Sequence, residues 1–332
     1  MALEFDRAAA YRVPPAAGNR RPAASDEDGF TLAATALERL DPGVPPGPPP
    51  DRLVLVGDLP PSAEVDLPRF FGSAVPVERV PGGRGAVRRA LATARSTSRG
   101  TVDLVAVDLG NGPGEPDAAV AVRFSAGQEP DGSVLDGSIA DEESLSAAPL
   151  LRVGADLGPR HPSRWLGDFR SDGASPPPGP DVSTPLPAEG PVSQGAYVPK
   201  ARYLENLPSR WRFVGQRCGA CGTVGFPPRG RCRSCGATSP LEPFPLPLEG
   251  GTVVAMTTIG PGGQPTEFDD QVAAGGPYGV VLVELMPGVR VTLQVAADPR
   301  SIRIGDRVAT RLRRLYPMEG EWRYGRKAVP FA

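Results

Sequence analysis

The sequence predicts an α/β domain with a mainly parallel sheet, followed by a cysteine-rich segment and a small all-β barrel. Three patterns predict this order. Helical and strand-like segments alternate between residues 29 and 124, four cysteines cluster between residues 218 and 235, and five short β-type runs fill residues 252–331. Alternating helices and strands are typical of a parallel sheet, and closely spaced short strands are typical of a barrel. A length of 332 residues also favours two domains.

The composition excludes a membrane protein. The chain has 41 glycines and 42 prolines, about twice average usage. Apolar runs such as VVAM and VVLV are far short of the ~20 residues that a membrane span needs. The N-terminal residues MALEFDRAAA lack the basic start and apolar core of a signal peptide. We therefore expect a cytoplasmic protein with no membrane association.

The single histidine limits the chemistry of the chain. Cysteine–histidine dyads, serine triads and multi-histidine metal sites must use His161 or be absent. His161 lies between prolines in GPRHPSRW, which is typical of a loop. We therefore predict no catalytic residue, and we leave cofactor-binding residues unassigned.

Charge is distributed unevenly along the chain. From Lys200 onward there are 18 basic and 11 acidic residues, a net charge of +7, whereas the preceding residues carry −9. A basic C-terminal half suggests an anionic partner, such as nucleic acid or the phosphates of coenzyme A. The alternative is that the two halves complement each other within one molecule.

The α/β domain is expected over residues 29–170, after a flexible N-terminus of residues 1–28. Apolar residues recur at helical spacing in FTLAATALERL and again between Gly85 and Ser96. Strands are expected at residues 53–57, 103–109 and 117–124. The segment 171–196 contains seven prolines among small polar residues, so we expect a linker there.

The four cysteines form a C-x2-C-x10-C-x2-C pattern of Cys218, Cys221, Cys232 and Cys235. Two such pairs supply four thiolates for a tetrahedral metal site, and the spacing is typical of a zinc ribbon. Gly222 and Gly236 follow the second cysteine of each pair, where the chain turns with a positive φ. Four protein ligands leave no open position, so the predicted zinc is structural. Iron in a rubredoxin-like site, redox chemistry and disulfides are the alternatives.

The second domain is expected to begin with a helix and this ribbon over residues 197–245, with the helix from Tyr197 to Leu207. The barrel follows over residues 246–332, and an OB-fold is the leading candidate. Its five strands are expected at residues 252–259, 279–286, 289–296, 307–316 and 322–331.

The segment from Tyr197 to Phe331 resembles the acyl-CoA-associated zinc-ribbon and OB-fold family known as domain of unknown function 35. The resemblance is carried by ARYLENL, WRFVGQRCGACGTVGFPPRGRCRSCGA, PYGVVLVEL, VRVTLQV and IRIGDRVATRLRR. It assigns the zinc ligands to the same four cysteines. It implies a non-catalytic scaffold that binds a thiolase-superfamily enzyme, such as a thiolase, a hydroxymethylglutaryl-CoA synthase or a thiolase-like aldolase. An acyl-CoA is implied as a bound ligand.

The N-terminal half resembles a fragment of a thiolase or hydroxymethylglutaryl-CoA synthase domain, through DRLVLVG, VERVPGGRGAVRRALATA, TVDLVAVDLG and DAAVAVRF. In that family the turn within the second segment carries the attacking cysteine. Val80 occupies the aligned position here, and no cysteine precedes Cys218. The resemblance therefore implies a degenerate, incomplete and non-catalytic module. Its uncovered faces would pack against another thiolase-fold chain or a second copy of this one.

Three further motifs contain residue types that can carry chemistry. Asp103 and Asp108 flank a strand, and residues 141–143 are acidic, but a strand-end pair and a solvated loop explain them. The turn at residues 80–87 lacks the lysine of a phosphate-binding loop. A basic run lies near three aromatic residues, which is the pattern of a nucleic-acid-binding OB-fold, the alternative function; these residues are Arg311, Arg313, Arg314, Tyr316, Trp322 and Tyr324. An acyl-transferring enzyme with a nucleophile elsewhere is the third possibility.

Overall fold

The computed structural model describes eleven stretches of the chain, and these stretches fall into two compact units. The described residues are 5–12, 28–40, 49–57, 59–81, 86–97, 100–108, 118–126, 199–259, 278–296, 299–318 and 321–330. The predicted linker 171–196, the loop around His161 and the acidic residues 141–143 lie outside them. No helix within the described stretches has both the length and the apolar content of a membrane span.

The N-terminal unit is a five-stranded mixed sheet with three helices. Its elements are β1 (Phe5–Arg12), α1 (Gly29–Leu40), β2 (Arg52–Gly57), α2 (Ala63–Phe71), β3 (Val77–Val80), α3 (Ala86–Thr97), β4 (Gly100–Asp108) and β5 (Ala118–Ala126). The strand order is β1-β5-β4-β2-β3. Strand β2 is parallel to both β3 and β4, whereas β5 is antiparallel to both β4 and β1. The predicted α/β class is therefore present, with one reversed strand.

The central strands of this sheet are buried on both faces. In β2 the four residues from Leu53 to Val56 are all fully buried, and in β4 the residues from Val102 to Val107 are as well. Successive side chains point to opposite faces of a strand, so layers of protein cover both sides of the sheet. The helices supply this cover: α1 packs on β4 and β5, and α3 packs on β2 and β4.

Three elements of this unit were missed or misassigned from the sequence. The predicted flexibility of residues 1–28 is wrong for Phe5–Arg12, which forms β1. Its sequence has no apolar alternation, and the strand forms because it pairs with β5 from Phe5↔Phe124 to Arg12↔Ala118. Helix α2 was hidden by Pro68 inside it, and its end is marked by Gly72 at φ 72°. Strand β3, with four residues, is too short to show the alternation of apolar and polar side chains that marks a strand.

The C-terminal unit holds two short helices, a three-stranded ribbon and a barrel. The helices are α4 (Lys200–Glu205) and α5 (Leu207–Arg212). The ribbon strands are β6 (Val214–Cys218), β7 (Val224–Gly225) and β8 (Leu241–Pro245), in the order β7-β6-β8. The predicted single helix from Tyr197 to Leu207 is thus wrong in its length, because a second helix begins at Leu207 after Asn206, with Pro208 in its first turn.

The predicted five-stranded closed barrel is confirmed. Its strands are β9 (Glu249–Ile259), β10 (Tyr278–Met286), β11 (Val289–Val295), β12 (Arg307–Met318) and β13 (Glu321–Pro330). They close in the order β10-β11-β13-β12-β9, with β11 parallel to β13 and the other neighbours antiparallel. This out-of-sequence closure is what a five-stranded Greek-key barrel of the OB type requires.

The ribbon and the barrel share one hydrophobic core. Phe213 and Leu246, at the two ends of the ribbon, belong to the same buried cluster as the inward-facing valines and leucines of the barrel. Three further ribbon side chains pack against that cluster: Val224, Phe226 and Phe244. The rings of Phe213 and Phe226 meet edge to face, with centroids 5.4 Å apart. The ribbon is therefore fixed to the barrel by apolar packing.

Candidate metal centre

The four cysteines converge at one end of the ribbon. Their sulfur atoms all lie within 4.8 Å of one another. The Sγ atoms of Cys218 and Cys235 are 3.7 Å apart, and those of Cys221 and Cys232 are 3.6 Å apart. A regular tetrahedron with thiolates ~2.3 Å from its centre has edges of ~3.8 Å. The sulfur atoms thus have the spacing of a tetrahedral zinc-ribbon site.

Each cysteine pair sits on a tight backbone turn. The N–H of Gly222 donates to the carbonyl of Cys218 at 2.8 Å, and the N–H of Gly236 donates to the carbonyl of Cys232 at 3.1 Å. Gly222 has φ 73° and Gly236 has φ 76°, and a Cβ at either position would meet no atom within 4 Å. Glycine is needed there for its backbone conformation, since space for a side chain exists.

A buried glutamine connects the first strand of the ribbon to the second turn. The backbone N–H of Arg229 donates to Oε1 of Gln216 at 2.5 Å, and Nε2 of Gln216 donates to the carbonyl of Arg231 at 3.2 Å. Gln216 is only 8% exposed. The loop that leads into Cys232 is therefore held from both sides of Gly230. Gln216 could not be assigned this role from the sequence. The one feature that points to it is its position two residues before Cys218.

The thiols differ in acidity. The pKa of Cys221 is lowered to about 6, mainly by its contacts with the side chain and the backbone of Thr223. Backbone N–H groups of Cys235 and Ser234 also lower the pKa of Cys232. The pKa of Cys235 is raised to about 11: the backbone of Ala237 lowers it, but the sulfurs of Cys221 and Cys218 raise it by more. Neighbouring thiolates repel one another because they carry like charges. A bound dication offsets this repulsion.

The donor set fits a soft, tetrahedral metal. Thiolates are the ligands that zinc and iron prefer, and four of them fill the coordination sphere. Two ligands, Cys218 and Cys232, are buried, whereas Cys221 and Cys235 are exposed. Within the described stretches this is the one group of three or more metal-binding side chains close enough to share an ion. Such a closed site holds structure and leaves no position for substrate.

Two of the other candidate residues, Asp103 and Val80, are buried within the sheet of the N-terminal unit. Asp103, expected at a strand end, is fully buried inside β4 and forms a bidentate ion pair with Arg123 of β5, at 2.7 and 2.8 Å. Val80 is buried at the end of β3. The side chain of Asp108 and residues 82–85 of the glycine-rich turn lie outside the described part of the chain.

The basic run of the barrel is buried. Arg311, Arg313 and Arg314 on β12 are 7%, 3% and 7% exposed. Arg311 pairs with Glu249 at 2.9 Å, and Arg314 lies over the ring of Trp322 at 4.8 Å. The expectation of an open basic face with free aromatic rings is therefore not met at these arginines. The side chain of Tyr316 is outside the described set.

The buried aromatic cluster beside this run has a structural role. Tyr324 of β13 is 4% exposed and packs edge to face on Trp211 of α5, with centroids 6.2 Å apart. Trp211 in turn packs on Tyr203 of α4 at 6.3 Å. The two helices are thus joined to the barrel by three aromatic side chains. Tyr324, part of the pattern that suggested the nucleic-acid alternative, packs against a helix in the structure.

A ribbon with four clustered thiols, followed by a closed five-stranded barrel, defines the class of zinc-ribbon and barrel proteins. Comparison with known proteins agrees with this class. Residues 209–240 match the family described as the ChsH2 rubredoxin-like zinc ribbon domain.

A DUF35 domain-containing scaffold protein of Methanothermobacter thermautotrophicus is 36% identical over 121 residues, which cover 36% of this chain and 85% of the relative. Another, from Methanocaldococcus jannaschii, is 30% identical over 132 residues, which cover 39% of this chain and 89% of the relative. A solved structure described as the Ltp2-ChsH2(DUF35) aldolase matches 40% of this chain and 98% of its own, with 26% identity and a TM-score of 0.30. The chain belongs to the DUF35 family.

Proposed function

We propose that this protein is a non-catalytic accessory subunit that binds a thiolase-superfamily enzyme and holds it in a complex. The observation that carries the proposal is the 36% identity to a protein named as a scaffold, over 85% of that protein. The closed four-thiol site agrees with a supporting role, since it has no position for substrate. The acyl-CoA substrate of the enzyme is included as a ligand of the assembled complex, because the family resemblance implies it.

The metal centre in this proposal is a structural zinc ion. Cys218, Cys221, Cys232 and Cys235 are its ligands, and the sulfur spacing of 3.6 and 3.7 Å supports this assignment. A bound ion stabilises the ribbon, whose own secondary structure consists of two five-residue strands and one two-residue strand. The metal thereby preserves the surface that the ribbon presents.

The N-terminal unit is proposed to be a degenerate thiolase-like module. Its five-stranded mixed sheet, with a helix between each pair of successive strands from β1 to β4, agrees with the α/β layer that the resemblance implies. At the position of the attacking cysteine stands Val80, whose side chain cannot form a thioester. A module without a nucleophile retains the shape of the enzyme fold, so pairing with a complete thiolase-fold chain or with another copy is its proposed use.

Nucleic-acid binding is the less favoured function. The outward-facing residues of β10 and β11, the face on which OB-folds bind oligonucleotides, include Val280, Leu282, Thr292 and Gln294. The charged residues described on this face, Glu284 and Arg290, neutralise each other at 3.3 Å. A strand-binding face combines unpaired basic side chains with several stacking aromatic rings, whereas β10 and β11 carry one aromatic residue, Tyr278, and one basic residue, the paired Arg290.

Affinity purification of the tagged protein from its own host tests the proposal. At moderate salt, a thiolase-fold enzyme identified by mass spectrometry should be recovered in stoichiometric amount. The purified subunit alone should not turn over acetyl-CoA or acetoacetyl-CoA. Recovery of the protein alone would contradict the scaffold function, and turnover by the isolated subunit would contradict its non-catalytic nature.

A further inference from the structure

The loop between the two cysteine turns carries two unpaired guanidinium groups. Arg229 and Arg231 are exposed, as are Pro227, Pro228 and Gly230 around them. Within the described residues neither guanidinium forms an ion pair or a hydrogen bond, and both arginines take part through their backbone alone, in contacts with Gln216.

The chain segment around these arginines contains no acidic residue. Between Asn206 and Leu241 the sequence contains six arginines and no aspartate or glutamate. One of the six, Arg233, is used internally, since its guanidinium donates to the carbonyl of Gly288 in the turn between β10 and β11. A zinc ion with four thiolates carries a formal charge of about −2, so the segment from Asn206 to Leu241 with its six arginines keeps a net positive charge.

The loop is also held in one conformation. Buried Gln216 bonds the backbone of both arginine residues, so the Cα positions of Arg229 and Arg231 are fixed on either side of Gly230. A fixed loop loses little conformational entropy when its side chains bind. Two forked guanidinium groups on such a loop match carboxylates, which arginine binds through two parallel hydrogen bonds.

We propose that Arg229 and Arg231 form a docking site for an acidic surface of a partner protein. The proposal rests on the accessory-subunit function, and it names the ribbon as the part of this chain that contacts the enzyme. A small phosphorylated ligand fits less well, because such ligands bind in concave sites and residues 227–231 are all exposed. A nucleic acid fits less well because Phe226 and Phe244, the ribbon's aromatic side chains, pack against the barrel core.

Charge reversal tests the site. Arg229→Glu and Arg231→Glu are compared with Arg303→Glu, which reverses an exposed arginine in the turn before β12. Zinc content and thermal unfolding are measured first, so that a folding defect is recognised. The partner identified in the affinity purification is then titrated against each full-length variant at two NaCl concentrations. We expect each loop variant to raise the Kd by about tenfold or more and to flatten its salt dependence, and the control to keep both unchanged.

The outcomes separate the site from the proposed function. Unchanged partner affinity in both loop variants overturns the docking site and leaves the accessory function standing. A recovered partner identified as unrelated to thiolases, but lost from the loop variants, overturns the accessory function and supports the site. Recovery of no partner by the wild-type protein overturns both. A thermal shift with coenzyme A, or co-purifying nucleic acid, that the loop variants alone abolish would overturn the site as a protein-docking surface.

Discussion

The hydroxyl of Tyr203 forms two hydrogen bonds with the backbone of Tyr324. Its hydroxyl accepts from the N–H of Tyr324 at 2.9 Å and donates to the carbonyl of the same residue at 3.1 Å. The indole Nε1 of Trp211 lies between them, 3.1 Å from the hydroxyl and 3.0 Å from the carbonyl. One tyrosine on α4 thus satisfies the backbone of a barrel strand at a buried residue.

Replacing Tyr203 with Phe should destabilise the C-terminal unit by about 1–3 kcal/mol, because the buried N–H of Tyr324 loses its acceptor. Urea unfolding followed by tryptophan fluorescence measures the loss. Ser209→Ala is the control, since that hydroxyl donates to the carbonyl of Asn206 within the same helical turn. Equal stability of the two variants would show that the contact contributes little.

Removing one partner of the ion pair between Asp103 and Arg123 should destabilise the N-terminal unit. The carboxylate is fully buried and Arg123 is 11% exposed, so Asp103→Leu removes the acidic partner of a largely buried guanidinium, at a cost of about 3–5 kcal/mol. The double variant Asp103→Leu, Arg123→Met should recover much of that cost. Hydrogen exchange of the β4 and β5 amides measures the change locally. A double variant no more stable than either single one would argue against the pair as the cause.

Changing Cys232 to Ser should abolish stoichiometric zinc and lower the thermal stability of the ribbon. Its sulfur lies 3.6 Å from that of Cys221, so its loss removes a ligand from the closed site. Elemental analysis of the purified protein should give about one zinc per chain for the wild type. Thr238→Ala, in the exposed loop after the second turn, should keep its zinc. Iron in the wild-type protein would instead identify a rubredoxin-like centre.

Zinc affinity should rise with pH. Without metal, the pKa of about 11 keeps Cys235 protonated at neutral pH, whereas Cys221 with a pKa of about 6 is already a thiolate. Binding must therefore release a proton from Cys235, and each proton released strengthens apparent affinity about tenfold per pH unit. Competition with a chelator at pH 6.5, 7.5 and 8.5 measures the slope. A pH-independent affinity would be inconsistent with thiolate ligation.

Elements whose residues carry a repeating pattern could be predicted from sequence. The cysteine spacing encodes a local turn, which Gly222 and Gly236 complete, and the sulfurs do converge. The barrel strands alternate, as in β11, where Val289, Val291, Leu293 and Val295 face inward.

Elements that depend on distant partners could not be predicted. Strand β1 forms by pairing with a strand more than a hundred residues later, from Phe5 with Phe124 onward, and its own sequence has no alternation. The sequence suggests that the arginines of β12 are exposed, because charged residues are rarely buried without a partner. In the structure Arg313 and Arg326 donate to backbone carbonyls and are buried. Such pairing depends on tertiary contacts that no local pattern records.

The core shared by the ribbon and the barrel constrains how this chain can recombine during evolution. The family match ends at residue 240, yet the next residues form β8, an edge of the ribbon sheet, and Phe244 and Leu246 lie in the common core. Genetic recombination at that boundary would remove the edge strand β8 from the ribbon and would leave a cavity in the core of the barrel. Ribbon and barrel must therefore be inherited as one piece, and new partners can be gained by altering exposed loops but not by exchanging either half.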